Sequence, residues 1–254
     1  MKFLKNKFLI EDILNSEHPS DFDYSNEYSL LILRLPFIKN DNVEIFSYVF
    51  LFKNEKIYFF NRKTNDFIEL GGIENFYDYL DVRVDKILAK LNSFHMQIAK
   101  MEDEMYEGII EKSFTKKWLK LKKNLVLIER LIAQALIAFE RFLKHYKLSE
   151  NYAFKDLQEH LNRAFSFSRN AIDKLNYLYE FFKAQQDEKM NKIMFILTIL
   201  SGVFLPLSLI TGFFGMNTGG LPLVNDPYGT YKAVIVAFIL EIPIVITIWK
   251  MMKS

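Results

Sequence analysis

The 254-residue chain contains no cysteine. Disulfides, thiolate metal ligands and cysteine nucleophiles are therefore excluded, and the absence fits a reducing compartment. The chain also has little net charge: 33 basic residues against 31 acidic ones leave +2. There is no global basic field of the kind that marks a nucleic-acid partner. Its four histidines, His18, His95, His145 and His160, are dispersed without metal-ligand spacing. No phosphate-binding glycine loop, nucleophile elbow or paired-carboxylate motif is present, so the sequence does not read as an enzyme. The first residues do not read as a secretion signal either. The apolar runs between Met1 and Leu14 are broken by Lys5, Lys7, Glu11 and Asp12, and no small-residue cleavage site follows. The chain as far as Met190 is expected to stay in the cytoplasm.

Charge itself is missing from the end of the chain. The stretch from Ile193 to Phe214 carries none. At 1.5 Å per residue it reaches roughly 33 Å, enough for a hydrocarbon core of about 30 Å. Pro206 would disfavour a soluble helix but is tolerated in a span. A second apolar segment, Tyr231 to Trp249, contains Glu241 and Pro243, with Tyr228, Tyr231 and Trp249 suited to the two interfaces. Lys183, Lys189 and Lys192 precede the first span, and Lys250 and Lys253 follow the second. The intervening loop offers only Lys232 at its edge, against Asp226. The positive-inside bias therefore places both termini in the cytoplasm and the loop outside. Two helices cannot enclose a water-filled path, so transport would require several copies around one axis. The first span is the better lining, because Thr198, Ser201, Gly202, Ser208, Thr211 and Gly212 permit close contact and a partly wet face.

The loop opens with Gly215-Met216-Asn217, at the outer end of the first of two C-terminal spans. That signature, with the preceding "MNKIMFILTILSGVFLPLSLITGFF" and the short basic tail, resembles the CorA family of divalent-cation channels and transporters. The specific likeness runs from Asp187 to the C-terminus. Thr218-Gly219-Gly220-Leu221-Pro222 is similar to the Gly-x-Asn-x-Gly-Gly-x-Pro loop of the ZntB-type branch, associated with zinc. The magnesium branch usually carries acidic residues here.

The resemblance implies a homo-oligomeric, pentameric funnel in a bacterial or archaeal inner membrane, moving Mg²⁺ or Zn²⁺, with Co²⁺ and Ni²⁺ as further candidates. It implies no covalently bound cofactor. Carried over by position, the pore face comprises Asn191, Met194, Leu197 or Thr198, Leu205, Ser208, Phe214 and Asn217. Gly215, Met216 and Asn217 form the selectivity mouth. A ring of Asn217 amide oxygens would attract a cation and still release it. Mg²⁺ gives up its water reluctantly, so the ring would bond the hydration shell and not the ion. Met194, Leu197 and Leu205 would make an apolar constriction that gates by dewetting. Glu241 is a functional candidate because an acid in mid-span is expensive. It is read either as a protonated group off the pore, bonded to a neighbouring helix or to a backbone carbonyl freed near Pro243, or as part of ion or proton traffic, as in proton coupling of a zinc transporter.

The expected fold is α+β: a cytoplasmic α/β domain and a very long stalk helix that continues into the first membrane helix. The segments are a β-rich part (1–72), a helical hairpin (73–148), the stalk (149–192), the first span (193–214), the signature loop (215–230), the second span (231–249) and a tail (250–254). Strands are expected over 28–38, 43–52, 56–60 and 66–70, where β-branched and aromatic residues are bounded by turn residues. Helices are expected over 73–105 and 114–146. In the stalk, Leu157, Leu161, Ala164, Ser168, Ala171, Leu175, Leu178 and Phe182 repeat at spacings of four and three. No Gly or Pro interrupts Ser149 to Ser201. Four acids, Glu102, Asp103, Glu104 and Glu107, sit at the hairpin tip. The family has acidic tips and divalent sites between inner domains that close the channel, whereas a solvated helix end is the plainer reading of these four. A non-conducting, membrane-anchored coiled-coil scaffold is the alternative from another functional class.

Overall fold

The computed structural model describes residues 6–39, 42–108, 113–216, 219–223 and 225–253. The chain divides into two units, Met1–Glu180 and Phe181–Ser254.

The first unit opens with a short helix, α1 (Lys7–Leu14), capped by the Asn6 side chain, which accepts from the Phe8 amide at 3.0 Å. Five strands follow: β1 (Asp21–Tyr24), β2 (Ser29–Lys39), β3 (Asn42–Lys53), β4 (Lys56–Asn61) and β5 (Asp66–Gly71). They pair in chain order as an antiparallel meander. Asn54 and Glu55 both take positive φ (51° and 62°) between β3 and β4. That is the geometry a two-residue hairpin requires to match strand twist. One sheet face packs against α1, with Leu9 and Ile13 set among Leu30, Ile32, Val49, Leu51 and Phe60. On the other face, Phe50 meets Phe76 edge-on at 4.9 Å, and Phe76 meets Phe142 at 5.4 Å. Fully buried aromatic rings dominate this core.

Three helices complete the unit: α2 (Ile73–Tyr106), α3 (Phe114–Tyr146) and the first part of α4 (Tyr152–Phe214). Leu157, Leu161, Ala164, Ser168, Ala171, Leu175 and Leu178 are the buried stripe of α4. Polar ties hold it in register. The Trp118 indole donates to the Leu175 carbonyl at 2.8 Å, Lys122 donates to Asn176 at 2.8 Å, and Lys174 pairs with Glu102 at 2.5 Å.

The second unit contains the rest of α4, a loop and α5 (Gly229–Lys253). Both helices are long and apolar enough to cross a membrane. Their large side chains stand exposed, including Leu205 at 69%, Leu209 at 71% and Phe238 at 64%. An apolar surface this extensive is what lipid would cover, not water. Pro206 and Pro243 both lie within continuous helix.

Candidate functional site

Helix α4 ends at Phe214, where the Gly215 amide still reaches the Thr211 carbonyl at 2.9 Å. A Cβ on Gly215 would lie 3.0 Å from that carbonyl oxygen, so glycine suits the exit from the helix. Met216 is half exposed. Asn217 and Thr218 lie outside the described residues. Farther on, Gly220 has φ +86°, and a Cβ on Gly229 would stand 1.9 Å from the Leu223 carbonyl oxygen, a position only glycine can fill. Just before α5, the Asp226 carboxylate accepts from the Tyr228 amide at 2.9 Å and pairs with Lys232. The Lys232 ammonium, then the Tyr228 amide, hold this carboxyl below its ordinary range. The only acid of the loop is thus neutralised by its own chain, a pairing that composition and spacing do not announce.

The expected pore residues Asn191, Met194, Leu197, Thr198, Leu205 and Ser208 are all exposed. At about 100° per residue they share an arc of roughly 120°. The half-buried residues of the same stretch, among them Gly202, Val203, Pro206, Leu207 and Ile210, centre on the opposite side. Phe214 belongs with this half-buried side and lines a cavity shared with α5. The Thr198 hydroxyl donates to the Met194 carbonyl at 2.8 Å, so its proton is held within the helix while its lone pairs stay free. Glu241, by contrast, is buried, and neither of its oxygens has a hydrogen-bond partner among the described residues.

In the first unit the structure assembles a group that the scattered histidines had not announced. Asp81 and Asp85 stand one turn apart on α2, and Asp156 and His160 one turn apart on α4. Helix packing sets the two pairs face to face. His160 Nδ1 lies 3.7 Å from Asp81 Oδ1 and 3.8 Å from Asp85 Oδ1, and its Nε2 lies 3.7 Å from Asp156. Ligand atoms of Asp81, Asp85 and His160 fall within 4.8 Å of one another. Asp81 Oδ1 and His160 Nδ1 are buried without a hydrogen-bond partner among the described residues. Burial, then the neighbouring Asp85 charge, push the Asp81 carboxyl above its ordinary range, against the lowering pull of His160. Burial also raises the nearby Tyr77 phenol, and the carboxylates of Asp81, Asp156, Asp78 and Asp85 add to that rise. The cluster is electronegative, partly buried and supplied with nitrogen and oxygen donors, which suits a divalent cation. Two of the four tip acids have cationic partners instead: Glu102 pairs with Lys174, and Glu104 lies 3.9 Å from Lys100.

Comparison with known proteins follows the same lines. The family model described as CorA-like Mg²⁺ transporter protein matches residues 3–251. The zinc transport protein ZntB of Vibrio parahaemolyticus is 32% identical over 111 residues, 37% of this chain and 34% of that protein. The cobalt/magnesium transport protein CorA of Thermotoga maritima is 23% identical over 242 residues, 87% of this chain and 69% of its own length. The match to ZntB of Yersinia enterocolitica likewise spans 61% of that relative, so less than two thirds of these zinc-transport relatives is covered. Among solved structures, the CorA magnesium transporter of Methanocaldococcus jannaschii superposes with a TM-score of 0.72 at 19% identity. That superposition covers 96% of this chain and 82% of the other.

Proposed function

Because the chain belongs to the family of CorA-like Mg²⁺ transporter proteins, we propose that it moves divalent cations across an inner membrane through a homopentameric pore. Members of this family are transporters and channels, and the chain is not an enzyme. The observation that carries the reading is the two-sided character of α4 beyond Ile193. One side turns toward α5, and the opposite side presents Met194, Leu197 and Leu205 exposed. Copies placed around an axis would bring those residues together as the lining. Gly215, Met216 and Asn217 would form the outer mouth, and both termini would face the cytoplasm. Mg²⁺ and Zn²⁺ both remain cargo of this reading. Internal pairing of Asp226 favours a mouth of neutral dipoles that takes hydrated cations of either kind. The test is uptake of Mg²⁺, Co²⁺ and Zn²⁺ into liposomes holding the purified full-length chain. Uptake above empty liposomes is expected; assembled protein with no uptake of any of them would leave the membrane-anchored scaffold.

The Asp81, Asp85 and His160 group is the cytoplasmic divalent site of this reading. Asp81 Oδ1 and His160 Nδ1, buried and without a hydrogen bond among the described residues, fit that role, since a cation would satisfy both and offset the crowded carboxylates. Zn²⁺ at a concentration about 100 times its Kd would stabilise the fold by about 2.7 kcal/mol. A matching rise in thermal midpoint is expected for the full chain, lost in Asp85→Asn and His160→Ala. Asp85→Asn removes a like charge beside Asp81, so the cation-free variant is expected to be no less stable than the parent. An unchanged Zn²⁺-induced shift in both variants would remove these residues from the site.

A further inference from the structure

Glu241 is 7% exposed, whereas its neighbours Leu240 and Ile242 are 53% and 55% exposed. Both carboxyl oxygens are shut away from the surface and without a hydrogen-bond partner among the described residues. Its helix face is shared by the half-buried Ala233, Ala237 and Ile244, at spacings of four and three. Opposite lies the half-buried side of α4. The register between the two helices follows from a cavity of about 510 Å³, lined by Ile210 and Phe214 of α4 and by Gly229, Ala233 and Ala237 of α5. One turn onward from Ala237 is Glu241, and one turn back along antiparallel α4 from Ile210 is Pro206.

Pro206 has no amide proton, so the carbonyl of Gly202 loses its helical donor. Gly202 and Pro206 are both half-buried on the side turned to α5. An acceptor without a donor in one helix and a carboxyl without a partner in the other therefore stand at the same level, where no water is available to satisfy either. The carbonyl freed by Pro243 belongs to Ile239, on the same helix as Glu241 and only two positions back. No titratable side chain faces Glu241 from α4, because Ile193 to Phe214 contains none. On α5 the nearest charges are Lys232 and Lys250, one on either side and each about 13 Å away along the axis.

We infer that Glu241, as the carboxylic acid, donates a hydrogen bond to the Gly202 carbonyl and clasps α5 to α4 within each chain. It is a positioning residue for the pore helix and lies off the cation path. This rests on reading both helices as membrane spans, and not on cation flux.

The test uses the full-length oligomer in lipid and two measurements that involve no transport. In infrared spectra a hydrogen-bonded carboxylic-acid band is expected, and it should vanish in Glu241→Gln. A symmetric carboxylate band lost in its place would overturn the proposal. Thermal unfolding supplies the second arm. Glu241→Leu, which lacks a donor, is expected to lower the midpoint by several degrees, while Glu241→Gln, which keeps one, stays close to the parent. Pro206→Ala restores the amide that takes the Gly202 carbonyl, so Glu241→Leu in that background should cost little more. Full additivity of the two substitutions would show that Glu241 does not act through this carbonyl. Should Pro206→Ala fail to assemble, the infrared comparison of the parent with Glu241→Gln still decides.

Discussion

Replacing Asn217 by alanine is expected to cut the initial rate of divalent-cation uptake by about tenfold to a hundredfold, with the oligomer intact. A hydrated cation at the mouth would hydrogen-bond one amide oxygen from each chain, and a methyl group offers no acceptor. A neutral hydrogen bond contributes about 1 kcal/mol net, and several chains lose one together. Only about 1.4 to 2.7 kcal/mol on the barrier is needed for the stated loss. No carboxylate in the loop can substitute, since Asp226 is paired with Lys232. Initial rates in liposomes, with oligomer size measured alongside, check the expectation. Unchanged uptake and selectivity in Asn217→Ala would remove the amide ring from the account.

Leu197→Ser is expected to act in the opposite direction and raise basal leak several-fold. Leu197 is 62% exposed on the side of α4 turned away from α5, beside Met194 at 52%. Repeated around an axis, these side chains would make a ring that excludes water when narrow. A hydroxyl at that level lowers the cost of wetting it. The measurement is cation leak from liposomes without added activating conditions. Unchanged leak in a correctly assembled Leu197→Ser protein would mean that a different face of α4 lines the axis.

The sequence was most readable where one side-chain pattern decided the outcome. Strands expected over 28–38, 43–52, 56–60 and 66–70 became Ser29–Lys39, Asn42–Lys53, Lys56–Asn61 and Asp66–Gly71, and α2 and α3 end within a residue of their expected bounds. Aromatic and β-branched runs between turn residues left little choice there. Helix α1 and strand β1 were not anticipated. The first depends on just two buried residues, Leu9 and Ile13, and the second places Phe22 between Asp21 and Asp23 in a four-residue strand. Neither is long enough to show a period. The Asp81, Asp85 and His160 group was hidden for a different reason. Each pair has the one-turn spacing of a helix face, but the whole of α3 lies between Asp85 and His160 in the chain, and only tertiary packing joins them. Two such pairs on neighbouring helices were the available signal. Asp226 illustrates the same limit: weighed against Lys232 only as a loop charge of opposite sign, it turns out to be bound to it.

The most direct test of the central claim is uptake into liposomes with the membrane potential clamped and a pH gradient imposed in either direction. A divalent cation passing through an open pore gains about 2.3 kcal/mol per charge per 100 mV, or about 4.6 kcal/mol in all. No proton relay is evident along this path, because the one acid within the two spans, Glu241, is buried on the side of α5 that turns to α4. Mg²⁺ and Zn²⁺ uptake is therefore predicted to follow the potential and to ignore the pH gradient. Uptake that follows the pH gradient, ignores the potential and collapses in Glu241→Gln would contradict the pore and establish proton-coupled transport in its place.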